Sequence, residues 1–302
     1  MDGLSKPVPT KRLWRNRPAP TGVSSSYSLA VRHEHYQGDF CMLVTDLQER
    51  FRRDGAVHVP SAFSPNEMAR LEEFWQFCID HPGPVATRFY TDRMDRAPGL
   101  EAARALPDRE PGFAYQDVGN PANRARLEEI VHLPGIESIV AATFGARRAW
   151  CMSEQVFLKE PNSPRTGWHQ DISDARVEGM DALTVWMSLD PVSAEESLEL
   201  VRGSHLGPVY DSYYSPSGSA PIPDIQGHRD DYDIVSFACQ PGDAVLFHFG
   251  VFHGGGQTGA ASTRRSLALR FVGPDGREMV PGNPGGGPPA RREAWLPVFT
   301  GQ

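Results

Sequence analysis

The sequence predicts a mainly β protein with flanking helices, its core of the sandwich or barrel type. From Trp150 onward, short runs of β-rich or alternating composition follow one another: CMSEQVFLK, LTVWMSL, SLELV, YDIVSFA, DAVLFHFGVFH and RRSLALRFV. Turns rich in Gly, Pro, Ser and Asn separate them, which is the texture of many short strands closing on themselves. Segments with helical periodicity lie before residue 150. No internal repeat interrupts this division.

Composition narrows the function classes. A chain of 302 residues supports one large core or two modest ones, and 39% hydrophobic with 23% charged residues is ordinary for a globular protein. A formal net charge of −8 argues against nucleic acid as a partner, because that role needs a basic stripe to displace counterions. The four cysteines, Cys41, Cys78, Cys151 and Cys239, are scattered without a Cys-x-x-Cys pair and are expected to be reduced thiols. The N-terminus lacks an apolar signal segment, and no apolar run approaches the ~20 residues of a membrane span. A cytoplasmic protein with no membrane partner is expected.

Residues 1–40 carry Lys6, Lys11, Arg12, Arg15, Arg17, several prolines and a serine triplet, and are expected to form a flexible or loosely packed extension. A single domain is expected over 41–302. Order is expected from about Val44: Leu47 and Phe51 are four apart and Gly55 closes the run as a C′ residue. AVHVP reads as a strand. Ser64-Pro65-Asn66-Glu67 is a capping box with proline at the first helical position, and Met68, Leu71, Phe74, Trp75 and Cys78 follow on one face. HPGP at 81–84 ends that helix. The stretch 84–122, rich in Arg, Asp and Pro, reads as a long loop. Two short helices are expected over 124–133 and 136–144, broken at Pro134-Gly135 and stopped by Gly145. Two lid insertions are expected, near 84–118 and 206–231. PGNPGGGPPARR at 281–292 forms a further polar insertion.

Chemistry enters at GWHQD, residues 167–171. In an extended chain His169 and Asp171 point the same way and reach a common point. A bare His-x-Asp is common by chance, so its meaning rests on a third ligand. His248 and His253 compete for that role, both within GDAVLFHFGVFHGGG. His253 sits at a strand end before glycines, where backbone makes room for a ligand. His248 lies between two phenylalanines and reads as a packed structural histidine. Eleven residues past His253 comes Arg264, opening RRSLALRF. Ser266 and Ala268 share its parity, whereas Leu267 and Leu269 share that of Arg265. The small-residue face leaves room for a ligand, so Arg264 is expected inside and requires an anionic partner such as a carboxylate. A rim or surface position is the alternative, stronger for Arg265.

Together these pieces resemble the iron(II)/2-oxoglutarate-dependent oxygenases, and within them the phytanoyl-CoA dioxygenase family. RRDGAVHVPSAFSPNEMARL, FLKEP followed by WHQD, VWMSLDPVSAE, LVRGSH and GDAVLFHFGVFHGGGQ each resemble family signatures over roughly residues 43–272. The resemblance implies a double-stranded β-helix core, jelly-roll and cupin-like, with helices on one side. It implies Fe(II) held by His169, Asp171 and His253, a triad that leaves three positions open. It implies 2-oxoglutarate as cosubstrate alongside O₂, with Arg264 on its far carboxylate, and Gln155, Lys159 and Trp186 as further cofactor-contacting positions. Gln155, Phe157 and Lys159 share one strand face, which an exposed strand would also show; plain core packing would equally place Trp186.

The implied reaction is oxidative decarboxylation of 2-oxoglutarate to succinate and CO₂, coupled to hydroxylation of an unactivated C–H bond. Desaturation, epoxidation or cyclisation by the same oxidant is the first rival, and a cupin-like metal protein without oxygenase activity the second. Asp171 is retained where related halogenases carry a small residue, which favours hydroxylation over halogenation. Two departures stand out. The family often has serine where Gly255 stands here, so one cosubstrate hydroxyl contact is either missing or replaced from elsewhere, with Gln257 and Thr258 as the candidates. Ser197 and Arg202 replace small residues and are expected away from the iron. The expected partner is a small polar or carboxylate-bearing metabolite, such as a natural-product intermediate or amino-acid derivative. Arg88, Arg93, Arg96, Phe89, Tyr90, Tyr213 and Tyr214 are its expected lid contacts. A coenzyme A thioester is the alternative, although no strong basic cluster suited to its phosphates is seen.

Overall fold

The computed structural model describes residues 37–84, 86–89, 114–211, 220–278 and 295–299. Most of the expected N-terminal extension, the centres of both expected lids and the 281–292 insertion lie outside these residues. So do Arg93, Arg96, Tyr90, Tyr213 and Tyr214, and the side chains of Arg88 and Phe89.

Helix α1 (Gln37–Asp54) runs through the boundary expected at residue 40. Gly55 closes it with φ of 72° and donates its N–H to the Phe51 carbonyl at 2.8 Å, a left-handed stop that a side chain would strain. Strand β1 (Ala56–Val59) follows. Helix α2 (Pro65–Asp80) carries the full capping box, with Ser64 and Glu67 each bonding the other's backbone N–H. It buries Leu71, Phe74, Trp75 and Cys78.

The region expected as one loop contains two strands, β2 (Thr87–Phe89) and β3 (Ala114–Val118). Polar composition hid them, because their stability comes from pairing with a longer neighbour rather than from intrinsic preference. Helix α3 spans Arg124–Val131 and α4 spans Pro134–Phe144. Pro134 starts the second helix rather than merely separating the two, since its missing N–H costs nothing at a first turn.

The remaining strands are β4 (Trp150–Lys159), β5 (Thr166–His169), β6 (Val177–Glu178), β7 (Ala182–Ser188), β8 (Leu198–Val201), β9 (Ile234–Ser236), β10 (Ala244–His248), β11 (His253–Gly255), β12 (Arg264–Val272), β13 (Arg277–Glu278) and β14 (Leu296–Pro297). One four-residue helix, α5 (Ile172–Ala175), follows β5. The larger sheet runs β1-β10-β7-β12-β4-β3-β2, with β14 also on β4. The smaller runs β5-β11-β8-β9. All pairings are antiparallel.

Burial divides the larger sheet cleanly. Val156, Val185, Met187, Leu246, Leu267, Leu269 and Phe271 point to the helix side and join Phe51, Leu71, Phe74, Ile136 and Val140 in the main core. Trp186, Val245, Phe247 and Ala268 point the other way, toward Leu198 and Leu200 of the smaller sheet. This is the two-sheet jelly-roll architecture, with helices on one outer face and a space between the sheets whose lining is set by alternate residues. The segment 220–231 contributes Ile225 to a third cluster with Trp168, Tyr210 and Tyr232, so this part of the expected second lid is packed down. No helix among the described residues is long and apolar enough to cross a membrane.

Candidate active site

His169 ends β5 and His253 begins β11, and the two are direct partners across the pair. Their rings come within 4.1 Å between centroids. Asp171 reaches them by a different route from the one strand alternation suggests. The strand stops at His169, and Asp171 adopts helical angles at the start of α5, with its carbonyl accepting from Ala175. The turn swings the carboxylate back, so Oδ1 lies 3.8 Å from Nε2 of each histidine. The ligand atoms of all three residues lie within 4.8 Å of one another.

The imidazoles are oriented for this. Nδ1 of His169 lies 2.9 Å from the Gly167 carbonyl, and Nδ1 of His253 lies 3.0 Å from the Val251 carbonyl. A carbonyl can only accept, so each Nδ1 carries the proton and each Nε2 presents a lone pair to the centre. Burial, then the neighbouring His169, pushes His253 down to about 3. It is therefore neutral at physiological pH. Burial alone would raise the Asp171 pKa, but Arg270 and the two histidines hold it at about 2. Two imidazoles and one carboxylate around a common point are the donor set of a divalent transition metal with open positions.

A second polar group sits along the inner face of β12. Arg264 is 5% exposed and directly opposite Lys159 of β4, itself 3% exposed. Lys159 Nζ donates to the Pro164 and Gly256 carbonyls at 2.9 and 3.1 Å. Arg264 donates Nη1 to the Glu196 carbonyl, while its buried Nε has no partner. Among the described residues neither cation forms an ion pair. Burial lowers Arg264 to about 10, and burial with the Arg264 and Arg165 charges holds Lys159 well below its ordinary range. Buried cations in this state fit a carboxylate-bearing ligand. Trp186 lies beneath, its ring centroid 5.9 Å from the Arg264 guanidinium carbon.

A family model for phytanoyl-CoA dioxygenase matches residues 51–266. The chain belongs to the phytanoyl-CoA dioxygenase family. Among solved structures it resembles the epimerase SnoN in complex with Fe³⁺, α-ketoglutarate and nogalamycin RO, with TM-score 0.63, 19% identity, and coverage of 86% of this chain and 100% of that one. It also resembles the α-ketoglutarate-dependent carbocyclase SnoK from nogalamycin biosynthesis, with TM-score 0.60, 19% identity, and coverage of 84% and 96%. EctD from S. alaskensis, with 2-oxoglutarate and 5-hydroxyectoine, aligns with TM-score 0.55, 16% identity, and coverage of 80% and 79%. No curated protein matches the chain.

Several positions in this phytanoyl-CoA dioxygenase-family site escape a sequence reading. His248 and His253 belong to different strands, β10 and β11, so they were never alternatives along one strand. His248 ends β10 on the helix side; Nδ1 accepts from the Gly250 N–H at 3.0 Å and Nε2 meets the Gly179 carbonyl at 2.8 Å. Thr258 is tied to the 160–163 loop, accepting from the Ser163 N–H at 2.9 Å, and Gln257 is exposed. The hydroxyl nearest the serine position is instead that of Thr166. A Cβ on Gly255 would lie 2.9 Å from Arg264 Nη2, 3.1 Å from Thr166 Oγ1 and 3.5 Å from Lys159 Nζ. Ser266, next to Arg264 on the same face, buries a hydroxyl without a partner. Arg270 contacts Asp171 directly. Its parity with Arg264 was the available signal. Gln155 bonds Arg270 and Gln116.

Proposed function

We propose that the protein is an iron(II)- and 2-oxoglutarate-dependent dioxygenase that hydroxylates an unactivated C–H bond of a small-molecule metabolite. One observation carries the reading: a two-histidine, one-carboxylate cluster shares an inner space with a buried arginine that no carboxylate of the described chain neutralises. His253 and Gly255 are two residues apart on β11, roughly 7 Å along a strand. Gly255 faces Arg264. A five-carbon diacid has the length to bridge those points.

His169, Asp171 and His253 would hold Fe(II), and when bound the iron with 2-oxoglutarate and O₂ supplies an oxidant able to break a C–H bond. The chain does the rest. Arg264 and Lys159 bind the far carboxylate, with Thr166 and Ser266 offering hydroxyls beside it. Trp186 and Phe247 exclude water from the inner wall, the Phe247 ring lying 4.5 Å from that of His253. Burial in this low-dielectric space strengthens each of these charge contacts.

A second reading shares the same cosubstrate chemistry but ends in ring formation or epimerisation, and is supported by the likeness to a carbocyclase and an epimerase. Product mass separates the two once a substrate is found by screening: hydroxylation adds one oxygen, cyclisation removes two hydrogens, epimerisation leaves mass unchanged. Succinate formation dependent on added Fe(II) and 2-oxoglutarate tests both. Its absence in folded, metal-loaded protein across the screen counts against any oxygenase assignment and favours a cupin-like binding protein.

A further inference from the structure

Among the described residues Arg270 is the one cation paired with the Asp171 carboxylate apart from the two histidines, and the contact is selective for one oxygen. Its Nε and Nη2 lie 3.2 and 3.1 Å from Oδ2 of Asp171. Thr184 Oγ1 donates to the same Oδ2 at 3.3 Å. Oδ1 is left to face the two imidazole Nε2 atoms at 3.8 Å each. The arginine is itself held. Its Nη2 donates to Gln155 Oε1 at 2.6 Å, and Gln155 Nε2 donates to Gln116 Oε1 at 3.0 Å. Both ends of the Gln155 amide are therefore engaged inside the protein.

We infer that Arg270 is a positioning residue for the metal site: it occupies Oδ2 of Asp171, presents Oδ1 alone to the metal, and is held in that pose by Gln155 and Gln116. A carboxylate free to rotate offers both oxygens. Binding through both takes a position that the cosubstrate or O₂ needs, and rotation away loses the ligand. A charge-assisted hydrogen bond from Nε, with Nη2 of the same planar guanidinium in ion-pair contact beside it, fixes that torsion better than a point charge does. Partners that orient a metal ligand in this way commonly matter tenfold or more to metal affinity. The role of Gln155 then runs through Arg270 rather than through direct contact with the cosubstrate.

The inference rests on the metal reading above, and the test separates the two. Co(II) serves as the probe, without 2-oxoglutarate, read by its dissociation constant and its d–d absorption band. Wild type binds, and Asp171→Ala loses most of that affinity. Arg270→Met, shown folded by circular dichroism, weakens Co(II) binding about ten- to a hundredfold and shifts the band. Arg270→Lys recovers part of the affinity, and Gln155→Leu moves both readouts in the direction of Arg270→Met by a smaller amount. A folded Arg270→Met protein with unchanged band and affinity within twofold of wild type overturns the inference while leaving the metal site standing. Tighter binding in that variant also overturns it, because the arginine would then act only by withdrawing charge. Equal Co(II) binding by wild type and Asp171→Ala overturns the metal reading and the inference together.

Discussion

Arg264 and Arg270 lie on the same face of β12, six residues apart, and both are withdrawn from solvent, yet only Arg270 meets a carboxylate of the described chain. At the Arg270 end the charge is matched by Asp171, and both side chains are pinned by neighbours. At the Arg264 end a second cation, Lys159, crowds in and the nearest acceptors are backbone carbonyls. A buried guanidinium without a counter-charge costs several kcal/mol. A fold retains such a group where a ligand supplies the missing charge. On the proposed reading, the matched arginine belongs to the machinery that shapes the metal site, and the unmatched one to the reception of an outside anion.

The largest effect is expected from erasing the match. Asp171→Ala removes one of the three proposed metal ligands and turns the Arg270 end into a second unmatched cation. Substrate-coupled succinate formation at saturating Fe(II) and 2-oxoglutarate is expected to fall at least a hundredfold in the folded variant. Added chloride is expected to restore part of the metal binding, since the vacated position then holds an anion beside Arg270. Near wild-type turnover would show that Asp171 is not a ligand.

Next is the unmatched end. Arg264→Ala is expected to weaken 2-oxoglutarate by about 2–5 kcal/mol, the cost of truncating one side of a buried charge pair. Arg265→Ala is the contrast. Arg265 faces outward to Asp190 and Glu72, with which it makes part-exposed ion pairs. Its loss is expected to change stability by about 0.2–1 kcal/mol and to leave the 2-oxoglutarate KM within twofold. Titrating the cosubstrate against both variants decides which arginine faces the ligand.

Strand parity made that pair legible in the sequence, because β12 is long and regular enough for period two to hold. The same logic gave a wrong route to Asp171. The residues converge, but through a turn into α5 that four residues of sequence do not announce. Arg270 stayed unread because its partner lies 99 positions away in the chain. Strands β2 and β3 were hidden for a related reason: their hydrogen bonds come from β4, not from their own composition. The capping box of α2 and the left-handed stop at Gly55 were readable because both are local chemistry. Distant pairings are what the fold adds.

His248 provides a control outside both ends. Burial, then the neighbouring His205, depresses it to about 4 from an ordinary 6.5. The folded state therefore favours the neutral ring, and its contribution is fully present above pH 6.5. It is lost as pH falls toward 4, by an amount on the order of 3 kcal/mol. His248→Gln is expected to lower Tm at pH 7 and to flatten the fall in Tm between pH 6.5 and 4. Metal content of the folded variant should match wild type, whereas His253→Ala should lose its metal. An unflattened profile would place the acid sensitivity elsewhere.

The smallest effect concerns how the unmatched end is finished. Gly255 leaves open the spot where relatives often carry serine, and Thr166 from the adjacent strand β5 brings its hydroxyl to within 3.1 Å of that spot. If Thr166 supplies the hydroxyl contact to the cosubstrate carboxylate, Thr166→Val should raise the 2-oxoglutarate KM by roughly 1.5–3 kcal/mol, the worth of one hydrogen bond to a charged group. Gly255→Ser alone should also hurt, because its Cβ would press on Arg264 Nη2 at 2.9 Å as well as on Thr166. Combining Gly255→Ser with Thr166→Ala removes one of those two crowding contacts and restores a hydroxyl. The double variant should then bind 2-oxoglutarate better than the sum of the single losses predicts, a coupling of the kind expected for touching residues. Strict additivity would mean that the two positions do not share one contact and that Thr166 only packs. A double variant as weak as Arg264→Ala would mean that the guanidinium cannot tolerate any side chain at 255, which makes the glycine itself the feature that keeps the unmatched arginine in place.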